Sequence, residues 1–182
     1  MQHTLVALVE DKPGVLNRVA SLFRRRAFNI ESLTVGHTDK TGISRMTIVF
    51  DSDQVSIDRV TSYLYKLVNV IQVEDLTARP TVSRDLAMIK VSVTPTNRTE
   101  IIQLVDVFRA RIVDVANDAM IVEITGDEEK IEGFVEVLRP YGILEMVRTG
   151  VVSMMRGASA LNSWVPNGNG NGNGKAHAAI YS

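Results

Sequence analysis

The sequence predicts an α+β protein made of two ferredoxin-like modules, each with the element order β-α-β-β-α-β. Three observations predict it. Apolar residues alternate with a period of two in some segments and recur at helical spacing in others, and the two patterns follow one another in the same order twice. A polar segment around Pro80, residues 78–84, separates the two halves as a linker. The 182 residues, 45% hydrophobic and 23% charged, suffice for two small cores. The predicted organisation is residues 1–77, a linker 78–84, a second module 85–156 and a tail 157–182.

In the first half, Thr4 to Val9 is a short apolar run suited to a buried strand. Asp11-Lys12-Pro13-Gly14 then opens a helix, with a capping residue ahead of a proline in the first turn. Val15, Leu16, Val19, Leu22 and Phe23 lie on one face of that helix. Arg24, Arg25 and Arg26 fall at its C-terminus, where cations meet the negative end of the helix dipole. Asn29 to Val35 reads as a strand with Leu33 and Val35 on one face and Ile30 on the other. A turn at Thr38 to Gly42 leads into Ile43 to Phe50, where Met46, Ile48 and Phe50 alternate with Arg45, Thr47 and Val49. Ile57, Val60, Leu64 and Leu67 form a second helical stripe, and Val70 to Leu76 a fourth strand.

The second half repeats the order. Ala87, Ile89, Val91 and Val93 alternate as a strand; Ile101, Leu104, Val105 and Phe108 share a helix face. Ile112 to Val115 and Met120 to Ile124 flank an Asn117-Asp118 turn and read as a hairpin. Ile131, Phe134, Val135 and Leu138 make the last helical stripe, and Ile143 to Met154 one long final strand. Beyond Gly157 the periodicity ends in the run Asn167 to Gly174, too poor in apolar residues to offset its backbone entropy, so a disordered tail is expected. Trp164, the single tryptophan, falls in that tail as an exposed aromatic or a partner anchor.

Both helices of such a module cover one sheet face, so the opposite face should be polar in an isolated domain. Leu5-Val6-Ala7-Leu8-Val9 is instead apolar on both. Modules of about 75 residues are also marginally stable alone. The modules are therefore expected to pack on each other or on another chain, most simply as a two-fold homodimer.

A net charge of −1, from 20 Lys+Arg and 21 Asp+Glu, argues against non-specific binding to nucleic acid or anionic membrane. An aromatic content of 5% removes the stacking platform of an RNA-binding sheet. The absence of cysteine excludes disulfides, thiol nucleophiles and Cys-ligated metals. No apolar run reaches the ~18 residues of a membrane span, and the start lacks a secretion signal, so a cytoplasmic location is expected. His3, His37 and His177 form no metal-ligand spacing and read as solvated. The acids Asp127 to Glu132 lie at a helix N-terminus, which they stabilise without any catalytic role. No catalytic residue and no metal ligand is assigned.

The loop Asp11-Lys12-Pro13-Gly14 has the most binding content. Free N–H groups at a helix N-terminus suit a small carboxylate, Gly14 permits close approach, and Asp11 can accept from an ammonium group. Together they fit an amino-acid zwitterion. The alternative is that Asp11 caps the helix and Gly14 permits the turn.

The first module resembles an ACT domain, and the whole chain resembles the regulatory small subunits of acetolactate synthase (acetohydroxyacid synthase). The strings that carry the resemblance are Arg25 to Val35 (RRAFNIESLTV), Ile43 to Ile48 (ISRMTI), Lys66 to Val70 (KLVNV), Phe108 to Val115 (FRARIVDV) and Arg148 to Val152 (RTGVV). The resemblance spans roughly residues 1–157. It implies a non-catalytic partner that activates a large catalytic subunit and confers feedback inhibition by valine in branched-chain amino-acid biosynthesis. Thiamine diphosphate, magnesium and FAD are then expected in the large subunit, with no cofactor in this chain. It further implies a homodimer through paired ACT domains, with the effector between Asp11, Gly14, Val15 and Leu16 of one chain and Asn29 and Ile30 of the other. Two positions depart from the family pattern: Asp11 stands where members carry Asn, and Gly36-His37 replaces a Pro-containing pair. A hydrophobic pocket separates valine from leucine or isoleucine only weakly, by about 1–3 kcal/mol per methylene. A free-standing ACT-type amino-acid sensor is the alternative reading. An acylphosphatase-like hydrolase would need an Arg and Asn about a phosphate loop that the sequence lacks.

Overall fold

The computed structural model describes residues 2–51, 56–158 and 161. The first module contains β1 (Gln2–Glu10), α1 (Val15–Arg25), β2 (Asn29–His37), β3 (Ile43–Asp51), α2 (Ile57–Leu64) and β4 (Val70–Asp75). Its sheet is antiparallel in the order β2-β3-β1-β4. Leu5, Ala7 and Val9 of β1 and Met46, Ile48 and Phe50 of β3 face the helices, where Val15, Val19 and Phe23 of α1 and Val60 and Leu64 of α2 complete the core. The i, i+4 spacing of these helical residues is what turns one stripe onto the sheet.

The second module contains β5 (Thr81–Ser92), α3 (Arg98–Val107), β6 (Arg111–Val115), β7 (Ala119–Gly126), α4 (Glu128–Leu138), β8 (Ile143–Arg148) and β9 (Val152–Met155). Its sheet runs β6-β7-β5-β8, and the first four residues of β5 pair separately with β9. Ala87, Ile89 and Val91 pack under Ile101 and Val105 of α3 and Ile131, Phe134 and Leu138 of α4. The Asp127 side chain caps α4 by accepting from the Lys130 N–H at 3.0 Å, which is the helix-end role expected of that acidic cluster.

Four expectations are corrected. Ile30 does not lie opposite Leu33 and Val35. The β2–β3 register shifts by one residue between Ile30 and Ser32, so Ile30 pairs with Phe50, Leu33 with Ile48 and Val35 with Met46, and Ile30 joins the helix-side core. A one-residue bulge reverses the facing of everything beyond it. The final strand is two strands, β8 and β9, parted at Thr149-Gly150-Val151, where Gly150 takes φ 90°. Buried Asp85 holds that break, accepting from Thr149 Oγ1 and Gly150 N, both at 3.1 Å, and from Arg148. Residues 81–84 of the linker segment are strand, paired with β9. His3 is not solvated: its ring lies 5.4 Å from that of Phe50 and its Nδ1 is buried. The tail run 167–174, Trp164 and His177 lie outside the described residues.

The apolar outer face of the first sheet is covered within the chain. Val6, Thr47 and Val49, which point away from the helices, are 0%, 2% and 4% exposed. The segment 150–155 crosses this face: Arg45 Nη2 donates to Ser153 O at 2.5 Å, and the Val151 N–H donates to Ser32 Oγ at 2.9 Å. Desolvation in this seam lowers the Arg45 pKa, an effect partly offset by Glu74.

Candidate functional site

The loop between β1 and α1 is built on a tight turn. Val15 N donates to Lys12 O at 3.3 Å, and Gly14 has φ 83° and ψ −4°, the geometry of a type II turn with proline and glycine at its centre. The helix therefore starts one step later than the sequence suggests: Gly14 is its N-cap and Pro13 lies outside it. Nothing stands within 4 Å of where a Gly14 Cβ would be, so the glycine is required by its positive φ and leaves open space above the turn.

Asp11 does not cap α1. No side chain caps this helix, and its first turn carries no acidic residue. Its N-terminal partial positive charge is thus available to an anion. The Asp11 backbone N–H is tied to Gly42 O at 2.8 Å, and its carboxylate lies 3.3 Å from His37 Nδ1 at the end of β2. His37 is the neighbour that a reading of solvated histidines misses; only the β2–β3 hairpin, which returns His37 beside the end of β1, brings the two together. Val15 is buried beneath the turn, whereas Leu16 is exposed beside it.

Asn29 and Ile30 are elsewhere. Asn29 pairs with Asp51, which pairs with Gln2, so they sit where β1 begins and Asp11 follows where β1 ends. A nine-residue strand separates the two groups by roughly 25 Å. The six residues therefore fall into two groups at opposite ends of the first sheet: exposed Asn29 with half-buried Ile30, and the Asp11–Leu16 loop.

A polar network lies behind the loop. Glu10 Oε2 accepts from Lys12 Nζ at 3.0 Å and from Asn69 Nδ2 at 2.6 Å, while Asn69 Oδ1 accepts from Arg18 Nη1 at 2.9 Å. The hydrogen bond from Lys12, then that from Asn69, holds the Glu10 carboxyl below its ordinary range. No local pattern joins Glu10, Arg18 and Asn69, because three separate segments supply them. A separate cleft of about 420 Å³ opens on the seam between modules, with Thr4, Val49, Arg84 and Asp127 in its walls. Two of its carboxylates are already engaged, Asp127 with α4 and Asp85 with Arg148. Among the described residues no group of three or more His, Asp or Glu is arranged to hold a metal, and no helix is long and apolar enough to cross a membrane.

Residues 5–72 match the family described as the AHAS small subunit-like ACT domain, and residues 84–157 match the small subunit of acetolactate synthase. The chain is 52% identical over 157 residues to a probable acetolactate synthase small subunit of Archaeoglobus fulgidus, covering 86% of this chain and 98% of that one. It is 49% identical over 161 residues to the acetolactate synthase small subunit of Mycobacterium leprae, covering 88% and 95% of the two chains. The crystal structure of the acetolactate synthase small subunit from Thermotoga maritima superposes with a TM-score of 0.81 at 40% identity, over 87% of this chain and 99% of that one.

Proposed function

The chain belongs to the acetolactate synthase small-subunit family, and we propose that it is the regulatory subunit that activates a separate catalytic large subunit and subjects it to feedback inhibition by valine. The large subunit carries out the condensation of two pyruvates, or of pyruvate with 2-oxobutyrate, with thiamine diphosphate, magnesium and FAD; this chain performs no chemistry and works in the cytoplasm. The observation that carries the effector reading is the uncapped α1 N-terminus behind an open Gly14 turn, with the Asp11 carboxylate beside it. A valine carboxylate meets the helix amides and its ammonium meets Asp11. Asn29 and Ile30 of a second copy close the site.

This arrangement calls for a homodimer through β2. The first sheet has two edges, and the other is blocked: Tyr65 Oη accepts from Val73 N at 3.0 Å and donates to Val73 O at 3.2 Å, occupying both outward groups of β4 there. Strand β2 carries Asn29 and Ile30 near one end and Ser32 on the seam with the second module. Effector binding across two chains biases the position of β2 and, through Ser32, the seat of the second module. Coupling of this kind is typically about 1–3 kcal/mol, and the large subunit must shift valine affinity by the same factor.

Reconstitution with a catalytic large subunit tests the proposal. Acetolactate formation should rise on adding this chain and fall when valine is added. Valine titrations of this chain alone should weaken on dilution, as dimers dissociate. Activity indifferent to this chain, or activation that valine does not reverse, overturns the corresponding half of the reading.

A further inference from the structure

We infer that Asn69 is a positioning residue that clamps the Asp11–Gly14 loop from both sides, joining Glu10 before the loop to Arg18 after it; for what the loop binds, the inference rests on the effector reading above.

Asn69 lies in the turn between α2 and β4 and is 8% exposed. Its backbone carbonyl and both ends of its side-chain amide are used on the loop's flanks. Its backbone carbonyl accepts from Glu10 N at 2.9 Å, its Nδ2 donates to Glu10 Oε2 at 2.6 Å, and its Oδ1 accepts from Arg18 Nη1 at 2.9 Å. Glu10 is the last residue of β1, immediately before the loop. Arg18 stands in the first turn of α1, and its N–H closes on Gly14 O at 3.0 Å. The β1–β4 pairing is irregular between Leu8 and Val9, so the bond from Glu10 N to Asn69 O continues the connection past the irregularity.

The chemistry requires an amide at this position. One end must donate to a carboxylate and the other must accept from a guanidinium, and a side chain of this length does both only as a carboxamide. Because the Glu10 carboxylate also holds Lys12 Nζ at 3.0 Å, the network reaches into the loop itself. Amides that bind a carboxylate must be held in place to be useful, and the loop's own backbone bonds are few: Asp11 N to Gly42 O, Lys12 N to Glu10 O and the Lys12–Val15 turn.

Two variants of the full chain test this, with valine as the probe in calorimetry and amide hydrogen exchange across residues 11–15. Asn69→Asp faces Glu10 with a second carboxylate and should weaken valine binding about tenfold or more, with faster exchange in the loop. Asn69→Asp combined with Glu10→Gln reverses the polarity of the same bond and keeps Arg18 partnered, while the exposed Lys12, which shares Glu10 Oε2 with Asn69, passes to solvent. It should return both readouts to within about threefold of the parent chain. Unchanged valine binding in Asn69→Asp overturns the clamp, as does a folded double variant that recovers neither readout. If Asn69→Asp does not fold, the double variant alone decides by the same two readouts. If the parent chain binds no valine, the effector reading fails; the clamp then stands or falls on whether Asn69→Asp speeds loop exchange and the double variant slows it again.

Discussion

Gly150 approaches Ser32 so closely that a Cβ on the glycine would stand 2.7 Å from Ser32 Oγ and 3.0 Å from Thr34 Oγ1. The next residue, Val151, donates its N–H to the same Ser32 Oγ at 2.9 Å. The two modules are therefore joined where a strand break in one meets the edge strand of the other, and the edge strand is β2, which also carries Asn29 and Ile30.

Gly150→Ala should destabilise the protein by about 2 kcal/mol, through the left-handed φ of 90° and the encroachment on Ser32 and Thr34. Equilibrium urea unfolding measures it. Gly14→Ala is the control: with open space around it, that change should cost only about 1 kcal/mol of backbone strain.

Asp85→Ala should cost about 1.5–3 kcal/mol, through the hydrogen bonds its carboxylate makes. Asp85 is 3% exposed and accepts from Arg148 Nε at 2.8 Å and Nη2 at 2.7 Å, as well as from Thr149 and Gly150. Arg148 keeps Glu132 at 2.6 Å, so its charge is not stranded, but the turn into β9 loses its anchor. Unfolding midpoints measure the loss. Cleavage near residues 149–151 under limited proteolysis should rise with it.

Gly14→Asp should raise the valine concentration needed for half-inhibition of the reconstituted enzyme at least about tenfold, because a new carboxylate meets the one on the ligand. Activation of the large subunit should be unchanged, since nothing stands within 4 Å of a Gly14 Cβ and the new side chain displaces no neighbour. Inhibition assays with and without the substitution decide it.

Glu10 should make a small contribution to acid stability. Its carboxyl is held below its ordinary range by Lys12 and then Asn69, so the stabilisation is complete above that range and is lost as pH falls through the lower folded-state value. Glu10→Gln should therefore be less stable than the parent near pH 6, by less than about 1 kcal/mol at this solvent-screened position. The gap should narrow as pH falls below 4.5. Urea midpoints from pH 6 to pH 3 check the sign.

Much of this was legible from local pattern. Val15, Val19 and Phe23 recur at helical spacing, and Met46, Ile48 and Phe50 alternate, so α1 and β3 follow from periodicity alone. Pro13-Gly14 marked the turn that exposes the α1 amides, although it forms a turn before the helix rather than its first residues. The face of Ile30 was not legible. A bulge at Glu31 is decided by how β2 pairs with β3, and alternation within β2 carries no record of that register. The break after Arg148 was equally hidden, since apolar residues continue through Val151 and Val152 and the cause, Asp85, lies more than sixty residues earlier.

The sequence by itself determined the two-module α+β order, the helical stripes and the loop that opens α1, because each depends on residues within a few positions of one another. Tertiary structure alone decided that the outer face of the first sheet is roofed by residues 150–155, that Asn69 grips both flanks of the loop, and that Asp11 and Asn29 stand at opposite ends of one sheet. Those relationships join segments distant along the chain. Strand register and burial, which local periodicity does not encode, set them.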